Sequence, residues 1–303
     1  MFILSYPLIL LISKLPFSVI YQISNIIYYI VYHFVGYRKD TVRENLKSSF
    51  PNHSKTERKK IEKKFYRHFC DLLLETIKVF SISKYELKKR FHISNPEVIQ
   101  ELENKDKSVI YMCSHYNNYE WILALRFYGM KNTSYGIYKK LKNKAYDQVL
   151  RNSRSRFETY LIDKVSAPKK MSQNKLKKRE ANYGMIADQS PKKKHANNWL
   201  TFLHQNTPVY IGSELLAKRL DFAVVYMRIE KVNRGYYKTT LEPITTQPKK
   251  TENGEITLVY FKKLEEQIKQ HPEFYLWTHK RWKHKDKYNP EKDNFIQNDF
   301  DLK

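Results

Sequence analysis

At residues 109–121 the chain reads Val-Ile-Tyr-Met-Cys-Ser-His-Tyr-Asn-Asn-Tyr-Glu-Trp. The apolar, β-branched and aromatic run that opens this segment follows charged residues, which predicts a buried strand over 109–113. His115 then lies just past the end of the strand. Asn117 or Asn118 is placed to cap a following helix, because an asparagine side chain accepts hydrogen bonds from the first free backbone N–H groups.

His115 and Glu120 are the candidate catalytic residues. They do not share one face of a straight helix, but they converge if the histidine belongs to the turn and the glutamate to the first helical turn. An imidazole held by a carboxylate can take a proton from a substrate hydroxyl, and such a general base contributes about 10²–10⁴-fold in rate. Free amides at the helix start can hold an oxyanion. A structural histidine is the alternative, because this spacing is common.

The composition indicates a globular protein with acidic partners. The chain has 303 residues, 41% of them hydrophobic, which is enough for one large domain. Its formal net charge is +25, from 56 Lys and Arg against 31 Asp and Glu. Nucleic acid, anionic lipid and an acidic protein all fit this charge.

The N-terminus is apolar and predicts a retained membrane anchor over residues 1–35, with a catalytic domain over 36–303. Two apolar stretches, 1–12 and 17–35, lack the features of a cleaved signal peptide, since no Lys or Arg precedes residue 14. The second is close to spanning length, although its polar residues also fit a helix lying in the interface. A buried core helix is the alternative. Basic residues follow, so the remainder is expected on the cytoplasmic side.

The next region predicts helices. Ser54 and Glu57 form a capping box for a helix that continues to about Lys78. Asp71 and Glu75 lie in this helix between apolar positions, and the expectation is that both are solvated acids on an amphipathic helix.

A second group of polar residues follows later strands. A helix over 145–159 carries Arg154 and Arg156, whose planar guanidinium groups suit phosphate binding. The strand predicted over 183–187 ends at Asp188, and parallel α/β sheets bind ligands at the carboxyl ends of their strands. His279, among basic neighbours, is the rival general base.

The alternation of strands and helices predicts one three-layer α/β domain. Further strands are predicted over 131–137, 223–229 and 236–241, the last two as a hairpin through Asn233-Arg234-Gly235. Helices are predicted over 169–179, 209–220 and 256–268.

Over nearly its whole length the chain resembles the lysophospholipid acyltransferase superfamily, specifically its bacterial lipid A biosynthesis branch. The resemblance rests on Tyr37-Arg38, Asn45-Leu46, Phe50-Pro51, Glu75, His115 with Glu120, Arg154-Ser-Arg156, Asp188, Thr207-Pro208-Val209, and Pro272 through Trp277 to His279-Lys280-Arg281-Trp282. Glu120 matches this branch, whereas the glycerolipid branch usually has Asp there. The chain also lacks the Phe-Pro-Glu-Gly phosphate motif of glycerolipid enzymes. An Asp-His-Asp turn of some relatives is Asp188-Gln189-Ser190 here, which speaks against a catalytic role for the turn.

The resemblance implies a glycerolipid acyltransferase-like mixed sheet and acyl transfer at the inner membrane. The donor would be acyl carrier protein, and the acceptor a hydroxyl of a phosphorylated glucosamine disaccharide, a lipid A precursor. His115 would be the base and Glu120 its partner. Arg154, Arg156, Asp188 and Asn118 would bind substrate, with Arg154 or Arg156 on a phosphate. No metal or cofactor is expected.

Two alternatives remain open at the level of sequence. The same fold can acylate another acceptor, such as a glycolipid or an amino-acid lipid, because each presents a hydroxyl or amine to the same base. A basic nucleic-acid-binding protein is the other class, although no helix-turn-helix, zinc finger or RNP motif is present.

Overall fold

The computed structural model describes residues 2–193 and 196–296. The N-terminal quarter is helical and consists of α1 (Phe2–Lys14), α2 (Phe17–Tyr29) continued by a π-helical turn (Ile30–Val35), α3 (Lys39–Ser49) and α4 (Lys55–Lys78). A mixed α/β region follows. Its elements are α5 (Lys84–Arg90), β1 (Phe91–Ile93), α6 (Glu97–Glu103), β2 (Val109–Cys113), a 3-10 helix (Tyr119–Phe127), β3 (Thr133–Tyr138), α7 (Lys144–Ser155), β4 (Thr159–Asp163), α8 (Ala167–Leu176), β5 (Ala181–Ile186), β6 (Asn198–Phe202), β7 (Gln205–Pro208), α9 (Gly212–Leu220), β8 (Ala223–Asn233), β9 (Tyr236–Thr245), α10 (Glu255–Gln270) and β10 (Asn294–Phe295).

A seven-stranded sheet organises the domain, in the order β1-β9-β8-β2-β5-β3-β4. Neighbours pair in parallel except β8 and β9, which form the antiparallel hairpin expected from the sequence. A smaller sheet has the order β10-β6-β7. The prediction of a mixed α/β fold is therefore confirmed.

Strand β2 lies at the centre of the sheet and is buried on both faces. Ile110 and Met112 belong to one hydrophobic cluster, which also contains residues of α9 and α10. Val109, Tyr111 and Cys113 point the other way, into a cluster with residues of α5, α6 and the 3-10 helix. Because every residue of the strand is covered, its sequence is a continuous apolar run and not an alternating one.

The structure corrects the predicted helix over 145–159. Helix α7 ends at Ser155, and Glu158 adopts a left-handed φ of 55°, which stops the helix. Thr159 then begins β4, which pairs with β3 at the edge of the sheet. Its segment Thr-Tyr-Leu-Ile is β-branched and aromatic, a composition that favours a strand once a neighbouring edge is available.

Asp71 and Glu75 are buried, so the expectation of two solvated acids is wrong. The capping box at Ser54 and Glu57 is confirmed, and helix α4 that it begins packs against α2. That contact covers the face on which both carboxylates lie. The amphipathic pattern of α4 does not indicate that α2 packs on the face that carries these two carboxylates.

Glu75 is the centre of a buried hydrogen-bond cluster. Its carboxylate accepts bonds from the hydroxyl of Tyr21 at 2.9 Å, the hydroxyl of Tyr237 at 2.7 Å and the side-chain amide of Asn118 at 2.8 Å. Burial raises the pKa of Glu75. Three donors from three separate parts of the chain therefore meet on one carboxylate, which ties α2 to the sheet and to the start of the 3-10 helix.

The N-terminal helices are docked on the α/β domain. Asp71 accepts hydrogen bonds from Ser24 of α2 at 2.7 Å and from Arg234 of the β8–β9 turn at 2.6 Å. Helix α1 ends at Lys14, two residues before Pro16. Within residues 2–193 and 196–296, none of the helices has both the length and the apolar character needed to cross a membrane.

We expect Glu75→Ala to lower the free energy of unfolding by about 2–5 kcal/mol, because it leaves buried donors unpaired. Glu75→Gln keeps an acceptor oxygen and the side-chain volume, so its loss is expected to be smaller. Urea unfolding of the full chain measures both, with Tyr21→Phe as the control that removes one hydroxyl, at a cost of about 1 kcal/mol. An alanine variant as stable as wild type would contradict the assignment of Glu75 as a structural hub.

Candidate active site

The carboxyl edge of the large sheet brings His115 and Asp188 together. Strands β2 and β5 are parallel neighbours, and their last residues, Cys113 and Ile186, pair in register. His115 and Asp188 each follow those residues by two positions, so the sheet sets them side by side. This edge is where α/β proteins usually bind ligands.

Asp188 holds the His115 ring through its Nδ1 atom. The Oδ1 atom of Asp188 lies 2.8 Å from Nδ1 and also accepts the backbone N–H of His115 at 3.1 Å. An ionised carboxylate only accepts hydrogen bonds, so Nδ1 must carry a proton. The Nε2 atom is then free to act as an acceptor in the neutral ring. The amide Nε2 of Gln189 lies 3.0 Å from it and donates to it.

Electrostatics favour a charged Asp188 and a more basic His115. Burial by itself lowers the pKa of His115, but the charge and hydrogen bond of Asp188, with a further contribution from Glu120, raise it overall. Burial raises the pKa of Asp188, yet His115 and then Arg281 outweigh it, so the pKa of this carboxyl is lowered. The pair thus resembles the carboxylate–imidazole unit of a general base.

Glu120 lies near the imidazole but does not hold it, in contrast to the expectation from the sequence. Its carboxylate accepts a hydrogen bond from Arg154, near the end of α7. The physical reason is position: Asp188 follows the strand next to β2, whereas Glu120 lies in the first turn of the 3-10 helix and its carboxylate is bound by Arg154. Glu120 therefore joins the site as the partner of an arginine.

Arg156 and Asn118, the other two residues expected to bind substrate, have hydrogen-bond partners within the protein. The guanidinium of Arg156 donates to the main-chain carbonyls of Val79, at 3.2 Å, and of Ile82, at 3.3 Å, just past the end of α4. Asn118 is fully buried, its side-chain oxygen accepts from the N–H of Trp121 at 3.2 Å, and its amide donates to Glu75. Asn118 is thus the predicted helix cap. The structure does not bring Arg156 or Asn118 to the His115 ring.

His279 is close to the proposed base. Burial, followed by the charge of Arg281, lowers the pKa of His279 to about 4, and Asp188 and His115 also act on it. A group this weakly basic is neutral near pH 7 and is a poor proton acceptor, so His115 is the better candidate. The sequence gives Asp188 a substrate-binding role, whereas the structure places it as the support of the ring, and the contact of Gln189 with the ring was not predicted. The only signal for either was their position directly after a strand.

Comparison with known proteins gives a family match over nearly the whole chain. The family model "Bacterial lipid A biosynthesis acyltransferase" matches residues 2–284. A lipid A biosynthesis lauroyltransferase of Escherichia coli (strain K12) is 24% identical over 278 residues, covering 90% of this chain and 88% of that protein. A lipid A biosynthesis palmitoleoyltransferase of the same strain is 23% identical over 271 residues, covering 89% and 87%. These matches set aside the nucleic-acid-binding alternative.

We expect Asp188→Asn to lower the pKa of His115 below the ordinary value of about 6.5, because burial then acts on the ring without its negative partner. Glu120→Gln should lower the pKa of His115 less, since Glu120 makes no hydrogen bond to the ring. NMR titration of the ring nitrogens of selectively labelled histidines measures both changes. An equal fall in the two variants, or no fall in Asp188→Asn, would refute the assignment of Asp188 as the ring's main partner.

Proposed function

This chain belongs to the bacterial lipid A biosynthesis acyltransferase family and is an acyltransferase of lipid A biosynthesis, and we propose that His115 is its general base. The observation that carries the proposal is the hydrogen bond between Nδ1 of His115 and buried Asp188. The proposed acceptor is a hydroxyl of a phosphorylated glucosamine disaccharide. The proposed donor is an acyl thioester on acyl carrier protein. The fold that carries this site is proposed to be of the glycerolipid acyltransferase-like, three-layer type.

In the proposed reaction, the acceptor hydroxyl takes the place of the Gln189 amide at Nε2 of His115. The ring removes the hydroxyl proton while the oxygen attacks the thioester carbonyl. The C–S bond then breaks, and the imidazolium gives that proton to the departing carrier thiolate. Asp188 keeps Nδ1 protonated and stabilises the imidazolium that forms. No covalent acyl-enzyme is needed, because the attacking oxygen belongs to the acceptor.

Glu120 and Arg154 are proposed to position the acceptor. Their side chains are largely buried, at 19% and 15% exposed, and their ion pair lies close enough to the imidazole for Glu120 to raise its pKa. Arginine binds phosphate through two parallel N–H groups, so Arg154 is the proposed contact for an acceptor phosphate. Glu120 then holds the guanidinium in place. Arg156, which caps the end of α4, is not part of this proposal.

The proposed docking surface for acyl carrier protein is a basic patch at the carboxyl edge of the sheet. Lys139 and Lys140 directly follow β3, Lys142 precedes α7 and Lys144 is its first residue; all four are exposed. An acidic carrier would be attracted to this edge, where its thioester has to reach His115.

The proposed membrane contact is the exposed apolar face of α2 and the π-helical turn, which lie within the anchor predicted over residues 1–35. On α2 and the π-helical turn, Ile26, Tyr29, Phe34 and Val35 are all more than half exposed. Exposed Arg38 follows. An apolar face beside basic residues suits a helix lying in the interface of an anionic leaflet. We propose that this face rests on the cytoplasmic side of the inner membrane and that residues 36–303 form the catalytic part.

We expect purified His115→Ala and Glu120→Ala to lose acyl transfer, by about 10²-fold or more for His115→Ala, while each still folds and sediments with membranes. The assay is mass spectrometry of products formed from lauroyl-acyl carrier protein and a phosphorylated glucosamine disaccharide lipid. His92→Ala, a substitution of an exposed histidine in β1, is the matched control. Transfer by His115→Ala within about tenfold of wild type would remove the proposed base.

We expect Lys139→Glu with Lys140→Glu to raise the KM for the acyl carrier protein substrate severalfold and to leave kcat nearly unchanged, because the charges steer binding and do not touch the reacting atoms. Added salt should shrink this difference. The control is Lys177→Glu with Lys178→Glu, two exposed lysines before β5 at the opposite edge of the sheet. Equal effects of the two pairs would argue against a docking surface beside the site.

A further inference from the structure

Arg281 is a buried charge behind the proposed base. Its side chain is 1% exposed, and one guanidinium nitrogen, Nη1, donates to the carbonyl of Pro208 at 2.9 Å. Within the described part of the chain, its Nε and Nη2 atoms have no hydrogen-bond partner. Burial of an ion is costly unless an opposite charge lies near, and arginine does not escape by losing its proton.

The opposite charge near Arg281 is Asp188. The segment that carries Arg281 is anchored beside the base, because the backbone N–H of Leu276 donates to the carbonyl of His115 at 3.1 Å and Tyr116 and Tyr275 form a β-bridge. Burial lowers the pKa of Arg281, and Tyr275 and Asp188 oppose this shift. The phenols are neutral near pH 7, because burial raises the pKa of Tyr260 and Tyr275.

The groups that face the His115–Asp188 pair come from five parts of the chain. They are Cys113 at the end of β2; Tyr119 and Glu120 at the start of the 3-10 helix; Tyr226 on β8; Tyr260 on α10; and Tyr275, His279 and Arg281 in the segment after α10. The thiol and phenols are neutral near pH 7, and so is His279, whose pKa is about 4. Of the groups in this set, Arg281 carries the permanent positive charge.

We propose that Arg281 is a positioning residue of the site: its buried positive charge holds Asp188 as a carboxylate against His115 and leaves the imidazole free to accept a proton near neutral pH. This inference rests on the proposed role of His115 as the base. Arg281 acts through Asp188, since its own hydrogen bond goes to the Pro208 carbonyl and not to the imidazole.

The direction of the effect follows from charge. His115 and Asp188 share one proton, and the pair is negative before it takes up a second. A nearby positive charge disfavours that second proton, so removing it makes the pair bind the proton more tightly. The acid limb of the pH profile of kcat/KM reports this protonation in the free enzyme. Loss of the charge at position 281 must therefore move the acid limb to higher pH.

A purely structural role for Arg281 makes a different prediction. The segment is also held by Trp282, whose indole N–H donates to the hydroxyl of Thr207 at 2.8 Å, next to the Pro208 carbonyl that Arg281 binds. If Arg281 only closed this segment on β7, its replacement would lower stability and activity at every pH and would leave the acid limb in place.

The test is the pH profile of kcat/KM for the full chain, with lauroyl-acyl carrier protein and the same disaccharide acceptor. We expect Arg281→Gln, which loses the charge but keeps a polar amide side chain, to shift the acid limb upward by about 1 pH unit. Arg281→Lys keeps the charge and should restore the limb to within a few tenths of a unit of wild type. Arg90→Met, which removes another buried arginine that is remote from the site, is the control for lost stability and should not move it.

Arg281→Met is the second neutral variant and should shift the limb in the same direction as Arg281→Gln. An unmoved limb in a folded neutral variant, or an equal shift in Arg281→Lys, would overturn the proposal. Failure of both neutral variants to fold, with Arg281→Lys folded, would assign Arg281 to the fold and overturn it too. If His115→Ala retains activity while the acid limb still moves in the neutral Arg281 variants, the role of His115 as the base fails instead. Failure of that role and failure of the proposal for Arg281 can therefore be told apart.

Discussion

A carboxylate buried at the end of β5 is the constraint on which the site depends. Asp188 is 2% exposed, and an ion so far from water has to find its hydrogen bonds and counter-charge within the protein. The backbone and ring of His115 supply the hydrogen bonds, and Arg281 supplies the counter-charge. His115, Asp188 and Arg281 come from three segments, of which the first and last are more than 160 residues apart in sequence, so the site exists only when β2, β5 and the segment after α10 are all in place.

Two buried carboxylates in this molecule have opposite fates because their partners differ. Asp188 meets an imidazole and a guanidinium, and its pKa is lowered. Glu75 meets two phenols and an amide, which are neutral donors, and its pKa is raised. Asp188 is suited to hold a negative charge beside a reacting group, and Glu75 is suited to hold helices together. Burial alone does not separate these roles; the charge of the neighbours does.

Much of the fold could be predicted from local patterns, and most of the site's pairings could not. The continuous apolar run at 109–113 and the Asn-Arg-Gly turn of the hairpin were recognised because a few adjacent residues carry the signal. The partner of His115 was misassigned because Glu120 is near in sequence while Asp188 is near in space, through the pairing of β2 with β5. Strand β4 was missed for the same reason, since its edge position exists only after β3 is placed.

The docking of α2 also bears on how the chain is made. The guanidinium of Arg234 donates to the side-chain oxygen of Asn25 at 2.9 Å, across 209 residues of sequence. At 5–20 residues per second, a ribosome takes roughly 10–40 s to add that much chain. Helix α4 is made long before then, so α2 can already pack on α4 through Asp71 and Glu75 while its contact with the β8–β9 turn is still missing. Slow elongation would therefore lengthen the interval in which α2 is docked on α4 without that turn.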